Sequence, residues 1–299
     1  MKIIITGSLG HISKPLTESL VKDGHEVTVI SSKSDRAQEI ETTGAIAAIG
    51  SLEDVAFLSK TFTDADAVYS MVPPNNYFQP ELDLLDYYRR LGKNYLQAIT
   101  ESGVKRVVNL STFGAHLDHG NGILIGAHNV EQILKDLPSD VSVTHIRPTS
   151  FYYNLFGYTE MIRSQGVIAA NYGAENVIPW VSPKDIAVAV AEELILQPVQ
   201  NTVRYVASDE VSGNETARIL GEAIGKPDLK WKLISDEETI NGLTAIGMNP
   251  KIAAGLVEMY GALQSGLLAE DYYRNKPALG KVKLTEFAKE FAVAFHQKH

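Results

Sequence analysis

The chain has 299 residues, 44% of them hydrophobic, enough to bury one large core or two modest ones. Acids outnumber bases 36 to 27, a formal charge of −9, which argues against nucleic acid or an anionic membrane as a protein-wide partner. No cysteine is present, which excludes disulfides, thiolate nucleophiles and cysteine-ligated metal centres, so redox chemistry here would require a bound cofactor.

The first residues run straight into a short apolar strand, without the charged start and small-residue cleavage site of a secretory leader. No uninterrupted apolar segment approaches the ~20 residues of a membrane span, and the expected location is cytoplasmic. Short apolar runs then alternate with amphipathic stretches, predicting strands at 3–6, 26–31, 45–49, 67–72, 106–110 and 143–147 with helices between them. That rhythm is α/β: a doubly wound parallel sheet of the Rossmann type. Gly24, Gly44 and Gly103 each follow a helical stretch, where a left-handed residue is least costly as glycine.

A helix is predicted over 127–137, with Val130, Ile133, Leu134 and Leu137 on one apolar stripe and His128 off it. Beyond Arg147-Pro148 the segment TSFYYNLFGY is rich in aromatic residues. Pro183 and Asp185 suit the first turn of another helix, and Ser212-Gly213-Asn214-Glu215 fits a capping box. The expected division is a dinucleotide-binding domain over 1–155, rejoined at about 181–206, and a smaller, mostly helical substrate or partner domain over 156–299.

The turn after the first strand reads Gly7-Ser8-Leu9-Gly10-His11-Ile12-Ser13, a Gly-x-x-Gly-x-x-Ser spacing. Glycine there lets main-chain N–H groups approach a diphosphate while the following helix contributes the partial positive charge of its N-terminus. A bare structural turn is the alternative, and the position on the first strand of an alternating sheet favours the cofactor. About 20 residues on, an acid would bind the ribose hydroxyls of NAD, whereas basic residues would accommodate a 2′-phosphate. The second strand ends in Ser31, Ser32 and Lys33, with Arg36 beyond, so NADP(H) is expected in preference to NAD(H).

The stretches TGSLGHIS, VVNLSTFGAH, GAHNVEQIL, THIRPTSFYYNL, IPWVSPKDIAVAVAEEL and LTEFAKEFAVAF, in this order and over nearly the whole chain, resemble the NmrA-like branch of the atypical short-chain dehydrogenase/reductases. The resemblance implies cofactor contacts at Gly7, Ser8, Leu9, Gly10, His11 and Ile12, around Ser32-Lys33, and at Met71, Val72 and Pro73. It implies either an NADPH-dependent reductase of quinones, dyes or related aromatic compounds, or a catalytically silent NADP(H) sensor acting on a regulatory protein. Sequences labelled nucleotide-sugar epimerases are also similar. Relatives often carry Gly-Asp after the third strand; here the pair is Gly50-Ser51, so the adenine contact does not transfer.

Short-chain reductases stabilise a developing alkoxide with a Tyr-x-x-x-Lys pair and a nearby serine. Here no tyrosine stands between Tyr95 and Tyr152 and no lysine between Lys105 and Lys135. Ser111 and His128 are the remaining catalytic candidates: Ser111 as hydroxyl donor, His128 as imidazolium proton donor. Either also suits a cofactor ribose, and a solvated surface histidine is the plain alternative for His128. Phe151, Tyr152 and Tyr153 are expected to wall a flat substrate, with Asn154 orienting a substrate oxygen. His116, Asp118 and His119 crowd one glycine-bearing loop without metal-ligand spacing, so no metal is expected. The segment 113–126 is expected to be a lid. The reading is a reductase of a small quinone-like, azo or aromatic carbonyl compound, as a monomer or homodimer; a quinone or azo acceptor tolerates the missing pair better than a ketone would.

Overall fold

The computed structural model describes residues 1–196 and 201–297, so part of the returning segment expected at 181–206 lies outside the described residues. The first half runs β1 (Lys2–Ile5), α1 (Ser13–Lys22), β2 (Glu26–Ser31), α2 (Ala37–Thr42), β3 (Ile46–Ile49), α3 (Val55–Phe62) and β4 (Ala67–Ser70). It continues with α4 (Leu84–Ser102), β5 (Arg106–Leu110), α5 (Ile125–Leu134) and β6 (Ser142–Pro148). There follow β7 (Ser150–Phe151), α6 (Thr159–Gln165), β8 (Val167–Ala170), β9 (Val177–Val181), α7 (Pro183–Ile195), β10 (Thr202–Val206) and β11 (Asp209–Ser212). The chain closes with α8 (Gly213–Ala223), β12 (Lys230–Leu233), α9 (Asp236–Ala245), α10 (Pro250–Gln264), α11 (Glu270–Arg274) and α12 (Leu284–His296).

Seven parallel strands form the main sheet in the order β10-β6-β5-β4-β1-β2-β3. Six of them were expected; the seventh, β10, pairs with β6 after the chain comes back through α7. Successive strand residues face opposite sides, so the apolar run of β1 serves both. Ile3 and Ile5 pack with Leu16, Leu20, Ile186 and Val190 on the face of α1 and α7. Ile4 packs with Leu58, Phe62, Ile99 and Leu134 on the face of α3, α4 and α5. The strand order reverses between β1 and β4, and ligands of such sheets bind in the crevice beyond the strand ends at that reversal.

Most expected strands match within a residue or two. The run over 67–72 ends early because Met71 gives its N–H to Thr6 Oγ1 instead of a strand neighbour. The helix expected over 127–137 is α5, two residues earlier at its start and closed before Pro138, whose ring disfavours helix at the residue preceding it. Gly103 caps α4 at φ 78, the left-handed geometry anticipated for it.

A second apolar cluster joins Tyr152, Leu155, Trp180, Leu220, Trp231, Phe287 and Phe291. This part is not helical throughout: β11-β9-β7 and β12-β8 make two small sheets. Ser212 accepts from the Glu215 N–H as a cap, yet the expected reciprocal box is absent because Glu215 bonds Arg218. A complete box stands instead at Ser235 and Glu238.

The crossing from α11 to α12 is tied down by Asp185, whose carboxylate accepts from Ser208 Oγ at 2.6 Å and from the N–H groups of Lys281 and Val282 at 3.1 Å. Gly280 is required there, since a Cβ would lie 2.3 Å from Asp185 Oδ2. Replacing Asp185 by alanine strips three donors of a charged acceptor and is expected to cost about 3 kcal/mol, read as a lowered urea midpoint and faster proteolysis near residue 280.

Candidate functional site

Thr6 joins the ends of β1 and β4: its N–H reaches Tyr69 O at 3.1 Å and its Oγ1 accepts from Met71 N at 3.1 Å. Directly after it Gly7 and Ser8 take φ values of 87 and 54, two successive left-handed residues; the Ser8 N–H is tied to Ile30 O at 3.0 Å, which turns the main chain beyond it out of the sheet. A Cβ on Gly7 would sit 2.9 Å from Ser13 Oγ and 3.1 Å from Met71 Sδ, so both backbone and space demand glycine. Ser13 is buried and donates to Thr6 O at 2.8 Å, which draws α1 onto the strand end.

Among the described residues, the N–H groups of Leu9, His11 and Ile12 find no acceptor, and α1 has no acidic residue in its first turn. The donor set and the helix end therefore suit a diphosphate.

At the end of β2, Ser31 is spent internally: it accepts from Ser8 Oγ at 3.1 Å and from Lys33 N at 3.2 Å. It braces the loop and is not presented to a ligand, against expectation. Ser32 and Lys33 are exposed, and Lys33 has no carboxylate partner among the described residues. Arg36 is held by Glu39 at 2.6 Å, so it would have to leave that pair to meet a phosphate. Met71 and Pro73 offer backbone carbonyls already bound from below by Tyr95 at 2.7 Å and Tyr87 at 3.3 Å, which fixes the floor between them. Val72 lies half-buried between the two.

Ser111 follows β5 and directs its hydroxyl proton to Glu131. The same carboxylate takes two hydrogen bonds from Arg147, at 2.9 and 2.6 Å, and Arg147 also reaches Tyr205 and Asp271 at 3.1 and 3.3 Å. Burial pushes the Glu131 carboxyl up, but the hydrogen bonds and charge of Arg147, with the hydrogen bond from Ser111, outweigh it and leave it below the ordinary range. Ser111 therefore faces an ionised acceptor and cannot give the same proton to a substrate, which corrects its expected role.

Burial also lowers His145, whose Nδ1 lies 3.1 Å from Asn109 Nδ2; Ser70 donates to the Asn109 oxygen. The amide therefore donates to the ring. His128 Nδ1 lies 2.9 Å from Ala115 O, so that nitrogen carries the hydrogen of this bond and Nε2 is the ring atom left for a ligand.

The aromatic segment divides. Tyr152 has no exposed surface, stacks 5.2 Å from Phe287 and donates to Val282 O: it is core, not substrate wall. Phe151 and Tyr153 are half-buried, and the Tyr153 ring stacks on His11 of the glycine turn at 4.7 Å. Asn154 is exposed.

The segment expected as a lid is pinned. Phe113 N reaches Pro148 O at 3.0 Å, Asn121 is buried and bonds Gly114 O and Leu117 O, and a Cβ on Gly122 would fall 1.9 Å from Gly255 O in α10. His116, Asp118 and His119 do not converge: the last two pair on the surface while His116 lines a cavity of about 500 Å³ with Arg147.

Residues missed in the sequence are Tyr77, Tyr88 and Tyr260, half-buried rings grouped in one cluster between α4, α10 and the loop after β4. The Pro- and Asn-rich stretch PPNNYFQP follows a strand end just as TSFYYNLFGY does, and the same positional argument would have found Tyr77.

A model of the NmrA-like family matches residues 1–265. The chain belongs to the NmrA-like family. Within it, the protein is 25% identical over 297 residues to the NAD(P)H azoreductase of Xenophilus azovorans, covering 98% of this chain and 99% of that one. It is likewise 25% identical over 227 residues to a (4-alkanoyl-5-oxo-2,5-dihydrofuran-3-yl)methyl phosphate reductase of Streptomyces griseus, covering 75% and 74%. Similar solved structures include the Citrobacter sp. triphenylmethane reductase complexed with NADP(H), at 18% identity, TM-score 0.78 and coverage of 98% and 100%. An NADPH-dependent quinone oxidoreductase of Escherichia coli gives 18%, 0.77, 97% and 99%. At these identities the structures establish that this NmrA-like chain shares the fold.

Glu131 supplies a pH test. Its depressed carboxyl contributes stability that is present above the ordinary glutamate value and lost as pH falls through the folded one. Glu131→Gln is expected to lower stability by about 3 kcal/mol at neutral pH, and the gap in urea midpoint between it and wild type should close below about pH 4.

Proposed function

We propose that the protein is an NAD(P)H-dependent reductase of a small, flat, conjugated electrophile of quinone or azo type, with NADPH preferred over NADH. The observation that carries this reading is the left-handed Gly7-Ser8 turn with the N–H groups of Leu9, His11 and Ile12, unspent among the described residues, beside a strand end that presents the exposed Lys33. The full-length likeness to an NAD(P)H azoreductase supports it.

When bound, the reduced nicotinamide supplies a hydride. The main chain at 9–12 would hold the diphosphate, Ser32 and Lys33 the 2′-phosphate, and Met71, Val72 and Pro73 a wall. Ser111 and His128, whose hydrogens are engaged elsewhere, suit a ribose hydroxyl that donates to them. Phe151 and Tyr153 offer ring surface at the mouth. A conjugated acceptor delocalises the charge left by hydride addition and so needs less acid help than an isolated ketone. The alternative of a silent NADP(H) sensor, which would order the 113–126 loop, is favoured less, since Gly122 of that loop already lies against Gly255 in α10.

The test is NADPH consumption by the purified protein with a panel of quinones and azo dyes; no turnover with any of them would refute the reading. Lys33→Ala removes one charge-assisted contact of about 1.5–3 kcal/mol, so KM for NADPH should rise roughly 10- to 100-fold while KM for NADH stays put.

A further inference from the structure

Reduction of an electrophile by hydride leaves an anion, and on both side chains expected to protonate it a hydrogen is already engaged within the fold. Ser111 donates to Glu131, and His128 Nδ1 faces Ala115 O. Tyrosine fills the gap. Most buried tyrosines here have hydroxyls engaged in the fold: Tyr95 on Met71 O, Tyr152 on Val282 O, Tyr205 and Tyr272 on carboxylates. Tyr77, Tyr88, Tyr153 and Tyr260 differ, because their hydroxyls have no partner among the described residues and are not sealed from solvent.

Tyr153 is the one of these four that touches the glycine turn. Its ring lies 4.7 Å from that of His11 at an interplanar angle of 27°, with the Phe151 ring at 5.4 Å and tilted by 59°, so two contacts hold the ring while its hydroxyl is unbound among the described residues. It follows β6 and β7 at the carboxyl edge of the sheet, close to the crevice where the strand order reverses. A charge on it would be felt by Tyr69, Tyr77 and Tyr88, which places it among the other phenols.

We infer that Tyr153 is the proton donor of the reductase, giving its hydroxyl proton to the oxygen or nitrogen anion formed when hydride adds to the conjugated acceptor. This rests on the reductase reading above. The hydride carries an electron pair from the dihydronicotinamide, which is oxidised, to the acceptor, which is reduced. The Tyr153 O–H bond breaks as an O–H or N–H bond forms on the product, and water returns the proton to the phenolate. Burial, the first cause, and then Tyr77 raise the Tyr153 hydroxyl above its usual value, so it enters each cycle protonated.

Tyr153→Phe keeps the ring and its stack and removes only the hydroxyl. Wild type and variant are compared with a quinone and with a cationic triarylmethyl dye, whose central carbon takes up hydride to give a neutral product without any proton. With the quinone, kcat is expected to fall at least ~100-fold, while Kd for NADPH, from cofactor fluorescence, moves less than about threefold and the dye rate is retained. Quinone turnover within about threefold of wild type, or equal losses on quinone and dye, would overturn the assignment. A wild-type protein inert toward every acceptor would overturn the reductase reading itself, and the role of Tyr153 with it.

Discussion

An ion pair buried where β5, β6 and α5 meet governs the chemistry available at the mouth. Removing a carboxylate and a guanidinium from water costs several kcal/mol each, and the cost is offset only if every lone pair and proton finds a partner. Glu131 and Arg147 go most of the way with two hydrogen bonds to each other, and Tyr205 and Asp271 accept two more from the guanidinium. Ser111 is drawn into the same account as a third donor to Glu131. The Ser111 hydroxyl thus belongs by energetics to the interior, its proton held by the buried carboxylate.

The glycine turn obeys a different constraint, that of close approach. Ser13 can sit against Thr6 only because Gly7 has no side chain, and Met71 closes the same gap from β4. The main chain is left with donors that neither a strand nor a helix can satisfy, a cost the fold accepts where an anion compensates for it. Position and charge agree: the strand reversal, the helix end and Lys33 lie along one edge.

Much of this was legible because it is local. The period-two apolar runs, the left-handed Gly103 and the Gly-x-x-Gly-x-x-Ser spacing each express a preference that a few neighbouring residues decide. What escaped was tertiary. Glu131 and Arg147 look like ordinary surface charges until α5 is laid across β6. Tyr152 and Tyr153 are adjacent letters with opposite fates, since the 3-10 helix over Tyr152–Tyr158 sends one ring into the Phe287 cluster and the other to His11. The glycine- and asparagine-rich stretch after β5 reads as a lid because its ties, to Pro148 and to α10, are remote in sequence.

Those ties also decide how the cleft behaves. Backbone lies directly on backbone where Gly122 meets Gly255, and a Cβ on Gly255 would come 2.8 Å from Ile123. At that point the helix that carries Tyr260 meets the Rossmann half main chain to main chain, with Ile252 and Leu256 packed in the same cluster as Leu84, Leu91 and Ile123. Main chain packed on main chain leaves little room to slide, so this contact resists any change in the spacing between α10 and the segment after β5.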